Sequence, residues 1–462
     1  MVGNVEATVQ SLLDAEKFGW RQWALFWLCF LIIAVDGFDT QVIAFTGPSI
    51  IKAFALTPAE LGNVFVAGTV GMALGAMGFG LLGDRLGRRP TIIATVFAFG
   101  VFTLAVAYAS SFNELIVLRF LTGLGIGGAT PVVVALAAES VPSRLRAMVV
   151  SAAVSGLPIG AILGAMLAQR WMPVLGWQAM YLYGALAAFV VLGLCVLFLP
   201  ESAALLVARD RNGDMARARA LTARFLGREL PPEYRLVPSV RLGHASVGAL
   251  FGAEYRRLTL GIWGGYLFNF LAWFGLIFWL PTVLVASGMP PAHAPLATMT
   301  LNLVATICIY PFAFILPRVG DVRRLLVALF AFGVLVCVAL AFSRGSEALV
   351  LTLVALAGIG VGLEQMGLYY LAARLYPEKL RATGIGWGVA LGRVGAIGGG
   401  GFGSLFLQGG GVSGFYLGLV PPLVLALGAV LIIPAPAKSE AKAEAKSDAG
   451  ATAAVPPSGG SS

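Results

Sequence analysis

ESVPSRLRA, residues 139–147, returns as RLYPEKLRA at residues 374–382, matching at proline, leucine, arginine and alanine. The offset is 235 residues. A second pair of stretches keeps that offset: the double arginines ending GDRLGRR (83–89) and RVGDVRR (318–324) are also 235 residues apart. Two separate loops agreeing on one offset point to an internal duplication whose copies run in the same direction.

Around these loops the chain is oily. Of its 462 residues 59% are hydrophobic and 11% charged, where a soluble domain is about half apolar and a quarter charged. Runs of about 20 apolar residues recur, each long enough to cross a hydrocarbon core of about 30 Å. Twelve are read: 22–45, 61–82, 90–109, 114–138, 147–168 and 177–199, then 257–285, 295–316, 324–342, 348–371, 382–406 and 413–434. The glycine-rich end of the eleventh leaves its boundary open. The longest polar stretch, 200–256, falls between the sixth and the seventh. The pattern predicts an all-α membrane protein of twelve transmembrane helices, in two six-helix halves related by a pseudo-two-fold repeat. The expected units are an N-terminal segment (1–21), an N-terminal bundle (22–199), a middle loop (200–256), a C-terminal bundle (257–434) and a low-complexity tail (435–462) expected to be disordered. Residues 5–18 read as a short amphipathic helix on the membrane surface. No cleavable signal precedes the first run.

The net charge of +9 sorts by side and not by patch. With the N-terminus inside, Lys17, Arg21, Arg85, Arg88, Arg89, Arg144, Arg146, the middle loop, Arg318, Arg323, Arg324, Arg374, Lys379, Arg381 and the tail lysines face the cytoplasm. Only Lys52, Arg170 and Arg344 fall outside. This is the positive-inside rule acting loop after loop, and it removes the case for nucleic-acid binding. Cys29, Cys195, Cys308 and Cys337 all lie in apolar runs, with neither disulfide nor metal spacing. No nucleophile–base constellation, nucleotide loop or metal cluster is seen, so neither an enzyme nor a cofactor is expected.

Charges inside the runs are few and costly, which marks them as functional. Asp36 and Asp39 share one helix face at i and i+3, with Gly37 between them to let the backbone bend or a neighbour approach. Two carboxylates in a cavity between halves suit proton handling. Arg119, in the fourth run, is a candidate for direct substrate contact or for a lock within its half; it needs an acidic partner, and a first-run aspartate is the natural one. Arg393 has no charged counterpart in the first copy and suits two-pronged capture of a carboxylate, unless Glu364 neutralises it. Three acids and two arginines suggest movement of an anion together with protons. Tyr266, Trp273, Phe274, Phe278 and Trp279 crowd the seventh run and could stack a flat ligand, with Asn269 and Gln365 as hydrogen-bond donors and Glu364 beside them among the expected substrate-binding residues. Asp84, beside Arg85, Arg88 and Arg89, could form a latch between helices.

GDRLGRR (83–89), PESAALL (200–206) and the six-plus-six layout resemble the major facilitator superfamily. DGFD (36–39), WLPT (279–282) and YPEKLRATG (376–384) are similar to its aromatic acid:proton symporter family, over essentially all of residues 20–434. The resemblance implies alternating access and uptake of benzoate-, hydroxybenzoate- or phenoxyacetate-like anions with protons. It implies proton coupling at Asp36, Asp39 and Glu139, a fourth-helix arginine at Arg119, gating at Asp84, Arg85 and Arg88, and roles for Arg381 and Arg393. Two departures stand out: the second gating loop, LPRVGDVRR, is eroded, and Glu364 puts an acid where an uncharged polar residue is expected. The expected setting is a bacterial-type inner membrane, with both termini cytoplasmic and the protein acting as a monomer. A proton-driven exporter of drugs or organic cations competes on the same fold, though Arg393 argues against cations. A receptor that binds aromatic acids without moving them lacks a signalling domain to support it.

Overall fold

The structure is a computed structural model that describes residues 5–209, 211, 213–231, 233–238, 246–343 and 346–434. Arg344 and the tail from residue 435 lie outside the described residues. Strand β1 (Val5–Ala7) and helix α1 (Val9–Asp14) are followed by α2 (Trp20–Phe54), α3 (Pro58–Leu86), α4 (Arg88–Val106) and α5 (Phe112–Glu139). The next span is α6 (Ser143–Val154) joined to α7 (Gly156–Leu175), and then α8 (Gln178–Phe198). Short helices α9 (Ala203–Arg209) and α10 (Asp214–Leu226) and strand β2 (Tyr234–Leu236) occupy the middle loop. The second half holds α11 (Arg256–Ala286), α12 (Ala294–Ile315), α13 (Val322–Phe342), the broken span α14 (Glu347–Gly362) and α15 (Glu364–Leu375), then α16 (Glu378–Gly418) and α17 (Val420–Ile432).

Eleven helical segments among the described residues are long and apolar enough to cross a membrane. The last, Lys379–Ile432, runs 54 residues, far more than one crossing needs. Gly411 divides it: at φ 61° and ψ −152° it is non-helical, a conformation only glycine adopts without strain. Twelve spans result, and the boundary left open in the sequence falls at this residue.

The duplication is visible in who packs on whom. In the first half α2 lies on α7, α3 on α5, and α4 on α5 and α8; in the second α11 lies on α16, α12 on α14, and α13 on α14 and α17. Lipid tails are as apolar as leucine, so close van der Waals packing of small residues holds such helices together. A Cβ on Gly37 would sit 2.1 Å from the Leu157 carbonyl oxygen, so that glycine serves helix approach.

The halves meet through α3 with α16, α7 with α12 and α2 with α11. We call the end carrying residues 5–19 and the middle loop the basic face, and the other the far face. Near the far face Phe65 stacks on Phe278 at 5.2 Å and meets Trp279 edge-on at 5.3 Å. The Trp279 indole donates to the Gly400 carbonyl at 2.9 Å. Phe278 and Trp279, expected to line a cavity, are therefore buried in the seam between halves.

On the basic face the N-terminal segment departs from its expected form. It is not a lipid-lying helix: β1 pairs in parallel with β2, Val5 opposite Tyr234, and α1 spans only six residues. Val9 and Leu13, one turn apart, bury against Leu206, Val207 and Ala218 of α9 and α10. An i,i+4 apolar pair fits a protein groove as well as a bilayer surface. Gln10 donates to the Val141 carbonyl at 3.1 Å and accepts from Arg146 at 2.5 Å, while Asp14 accepts from the Ser143 backbone at 2.5 Å. The repeated stretch 139–147 is thus the dock for the chain's own N-terminus.

Candidate functional site

The two aspartates of DGFD face different partners. Asp39, 1% exposed, accepts from Thr103 of α4 at 2.7 Å and pairs with Arg119 of α5 at 3.3 Å. Asp36, 2% exposed, accepts among the described residues only from hydroxyls, Thr40 at 3.2 Å and Thr130 of α5. The expected close carboxylate pair is thus one locked aspartate and one held by neutral donors. Arg119, expected among the substrate-binding residues, is 4% exposed and committed to Asp39.

Arg393 is placed otherwise. It projects from α16, half-buried, with Asp36 across the halves and Tyr369 of α15 as its electrostatic neighbours. It makes no ion pair or hydrogen bond among the described residues. Tyr369 shares a side-chain hydrogen bond with Gln365. Aromatic rings continue along α11 from there: Tyr266 meets Tyr369 edge-on at 5.3 Å, and Phe270 stacks on Phe274 at 5.8 Å. Phe274 and Trp273 are half-buried, whereas Tyr266 is fully enclosed. An unpaired guanidinium beside a run of rings can hold a flat carboxylate at both its charged and its apolar parts.

Asn269 and Glu364, also expected to bind substrate, are 0% exposed and bonded to each other: Asn269 Nδ2 donates to Glu364 at 2.7 Å and to the Val361 carbonyl at 3.1 Å. Both are enclosed between helices, and Glu364 makes no ion pair with Arg393 among the described residues. The shared helix lengths allowed that pairing; the rotation of α15 sends Glu364 toward α11 instead.

At the basic face Arg88, its side chain 8% exposed, is gripped by Asp84 at 2.9 Å and by Glu139 at 2.9 Å. Glu139, expected with the proton-coupling residues, belongs to this cluster, because α5 carries it to the basic end away from Asp36 and Asp39. Arg85, and Arg381 at the start of α16, are exposed. The eroded second loop builds no equivalent: Arg324 pairs with its own neighbour Asp321 at 3.0 Å, and Arg323 donates to the Ile433 carbonyl at 2.9 Å.

The sequence reading missed three kinds of residue. Thr103 and Thr130 complete the aspartate sites, but a threonine in an apolar run is too ordinary to stand out. Tyr369 adjoins Arg393, and only its spacing of four from Gln365 hints at it. Glu201, inside the quoted PESAALL, accepts from the Arg88 and Arg89 backbone at 2.7 and 3.3 Å. It thereby caps α4, whose N-cap residue, Gly87, has no side chain to do so.

Comparison with known proteins follows this geometry. The chain matches the family profile described as Major Facilitator Superfamily over residues 29–330 and 262–458. It is 33% identical over 437 residues to the 4-hydroxybenzoate transporter PcaK of Pseudomonas aeruginosa, covering 92% of this chain and 95% of that one. The chain belongs to the major facilitator superfamily, in the family of aromatic acid transporters. The gallate transporter of Pseudomonas putida is 34% identical over 420 residues, covering 91% of each chain. Among solved structures, the xylose transporter XylE from E. coli, in a partially occluded inward open conformation, superposes with a TM-score of 0.70 at 16% identity, covering 90% of this chain and 99% of that one. The superfamily's multi-pass membrane fold accounts for the twelve spans and for the matched packing within each half.

Proposed function

We propose that this facilitator imports an aromatic carboxylate together with protons, by alternating access between its two halves. The half-buried, unpaired guanidinium of Arg393 is the observation that carries this reading. The substrate carboxylate docks on it, and the ring lies against Tyr369, Phe274 and Trp273. Relatives named as transporters of 4-hydroxybenzoate and gallate support that substrate class.

Coupling follows from charge. Without substrate, Arg393 offers its charge to the Asp36 carboxylate across the cavity. A docked anion takes that charge for itself, and two anions around one cation are relieved when Asp36 takes up a proton. The loaded core is then neutral where it faces the cavity and can move through the membrane interior. The seam of Phe65, Phe278 and Trp279 closes the far face, so this state opens toward the basic face. Basic loops support reading that face as cytoplasmic; in this reading the protein sits in a bacterial-type inner membrane as a monomer, with the bundles 22–199 and 257–434 rocking as units.

Uptake of labelled benzoate, 4-hydroxybenzoate and gallate into proteoliposomes, with and without an inward proton gradient, tests this. The parent should accumulate at least one of them only with the gradient. Arg393→Ala should raise KM by about 10- to 100-fold, as loss of a charge-assisted contact does. Uptake unaffected by Arg393→Ala would remove the anion site from this residue.

A further inference from the structure

We propose, building on the anion–proton cycle above, that Glu364 is a second proton-carrying site, so that each substrate anion crosses with two protons and the cycle moves net positive charge.

The acid is enclosed without a counter-charge. Its side chain is 0% exposed, and one oxygen accepts from Asn269 of α11 at 2.7 Å. The other, Oε1, has no hydrogen-bond partner among the described residues. From α13 the titratable group that feels it is the Cys337 thiol, a neutral neighbour. From α16 the charge is Arg393, whose electrostatic neighbours are Asp36 and Tyr369. A carboxylate sealed in with no cation is strongly disfavoured, whereas a carboxylic acid is tolerated there. Glu364 therefore holds a proton in this conformation.

The backbone supplies a way to let it go. The span breaks at Leu363, between α14 and α15, and Glu364 is the first residue of α15. The next residue, Gln365, bonds Tyr369 beside Arg393, so α15 joins the acid to the anion site. Pivoting of α15 about the break after substrate leaves would wet Glu364 and release its proton.

The charge balance separates this from a one-proton cycle. One anion with one proton, on Asp36, is electroneutral and responds only to the pH difference. One anion with two protons carries one positive charge, and a potential of 100 mV then changes accumulation by about fifty-fold.

The test is uptake of labelled 4-hydroxybenzoate into proteoliposomes at a fixed pH difference, with the potential set by potassium gradients and valinomycin. The parent should accumulate more at an inside-negative potential. Glu364→Gln, which keeps an acceptor for Asn269, should retain pH-driven uptake and lose the response to potential. A Glu364→Gln protein with the parent's full response to potential overturns the proposal. Independently of any variant, parent uptake that does not respond to the potential, as a one-proton cycle requires, also overturns it, while leaving the one-proton cycle standing. A parent that accumulates no aromatic acid under any gradient overturns both.

Discussion

Asp36 and Asp39 differ by one cation, and their amides should differ accordingly. Asp39→Asn leaves Arg119 buried without its partner, a loss of about 3–5 kcal/mol for broken buried pairs. Its thermal unfolding in detergent should fall by several degrees or the protein should fail to accumulate, whatever the substrate. Asp36→Asn keeps an oxygen for Thr40 and Thr130, so its melting temperature should stay within a few degrees of the parent's. It should nevertheless accumulate less substrate than the parent at the same proton gradient while retaining exchange of labelled for unlabelled substrate. Equal destabilisation of both variants would make the pair structural. At this scale the sequence was legible wherever a charge interrupts an apolar run, because the bilayer makes such a residue conspicuous. It could not rank the acids against each other. Which aspartate meets Arg119, and which way Glu364 points, depends on helix rotation, and several rotations satisfy the same spacing.

The N-terminal segment is held by few contacts, and one of them titrates. Burial alone would raise the Asp14 carboxyl, but the Ser143 hydroxyl and backbone N–H outweigh it and hold the group below its usual 3.8. A folded value below the unfolded one means the contact contributes fully above about pH 4 and fades as the pH falls below that. Asp14→Ala should therefore speed hydrogen exchange of the amides in 5–19 several-fold at neutral pH, with the difference from the parent shrinking in acid. Unchanged exchange would assign the docking to Val9 and Leu13 alone. The spans were legible as elements because length and hydropathy suffice. This segment was not: six residues with two apolar positions fit a lipid surface and a protein groove equally, and β2 lies too far along the chain for pairing to be foreseen.

Across the molecule, the duplicated loops disclosed the repeat, but they could not say at which end the halves touch. A Cβ on Gly62 of α3 would lie 3.3 Å from the Ser404 Cβ of α16, close to disulfide spacing. Gly62→Cys with Ser404→Cys should cross-link under oxidation, arrest uptake, and recover it with a reductant. Uptake that continues in the fully cross-linked protein would show that the far face need not part during transport. The pairing of β1 with β2 has a consequence in time as well as in space. Residues 5–7 leave the ribosome well before their partners at 234–236, which follow only after the first six spans have been made. At about 5–20 residues per second that delay is roughly 10–50 s. The first strand must wait, unpaired, for the linker that follows its own bundle, so it cannot close before the first half has been made.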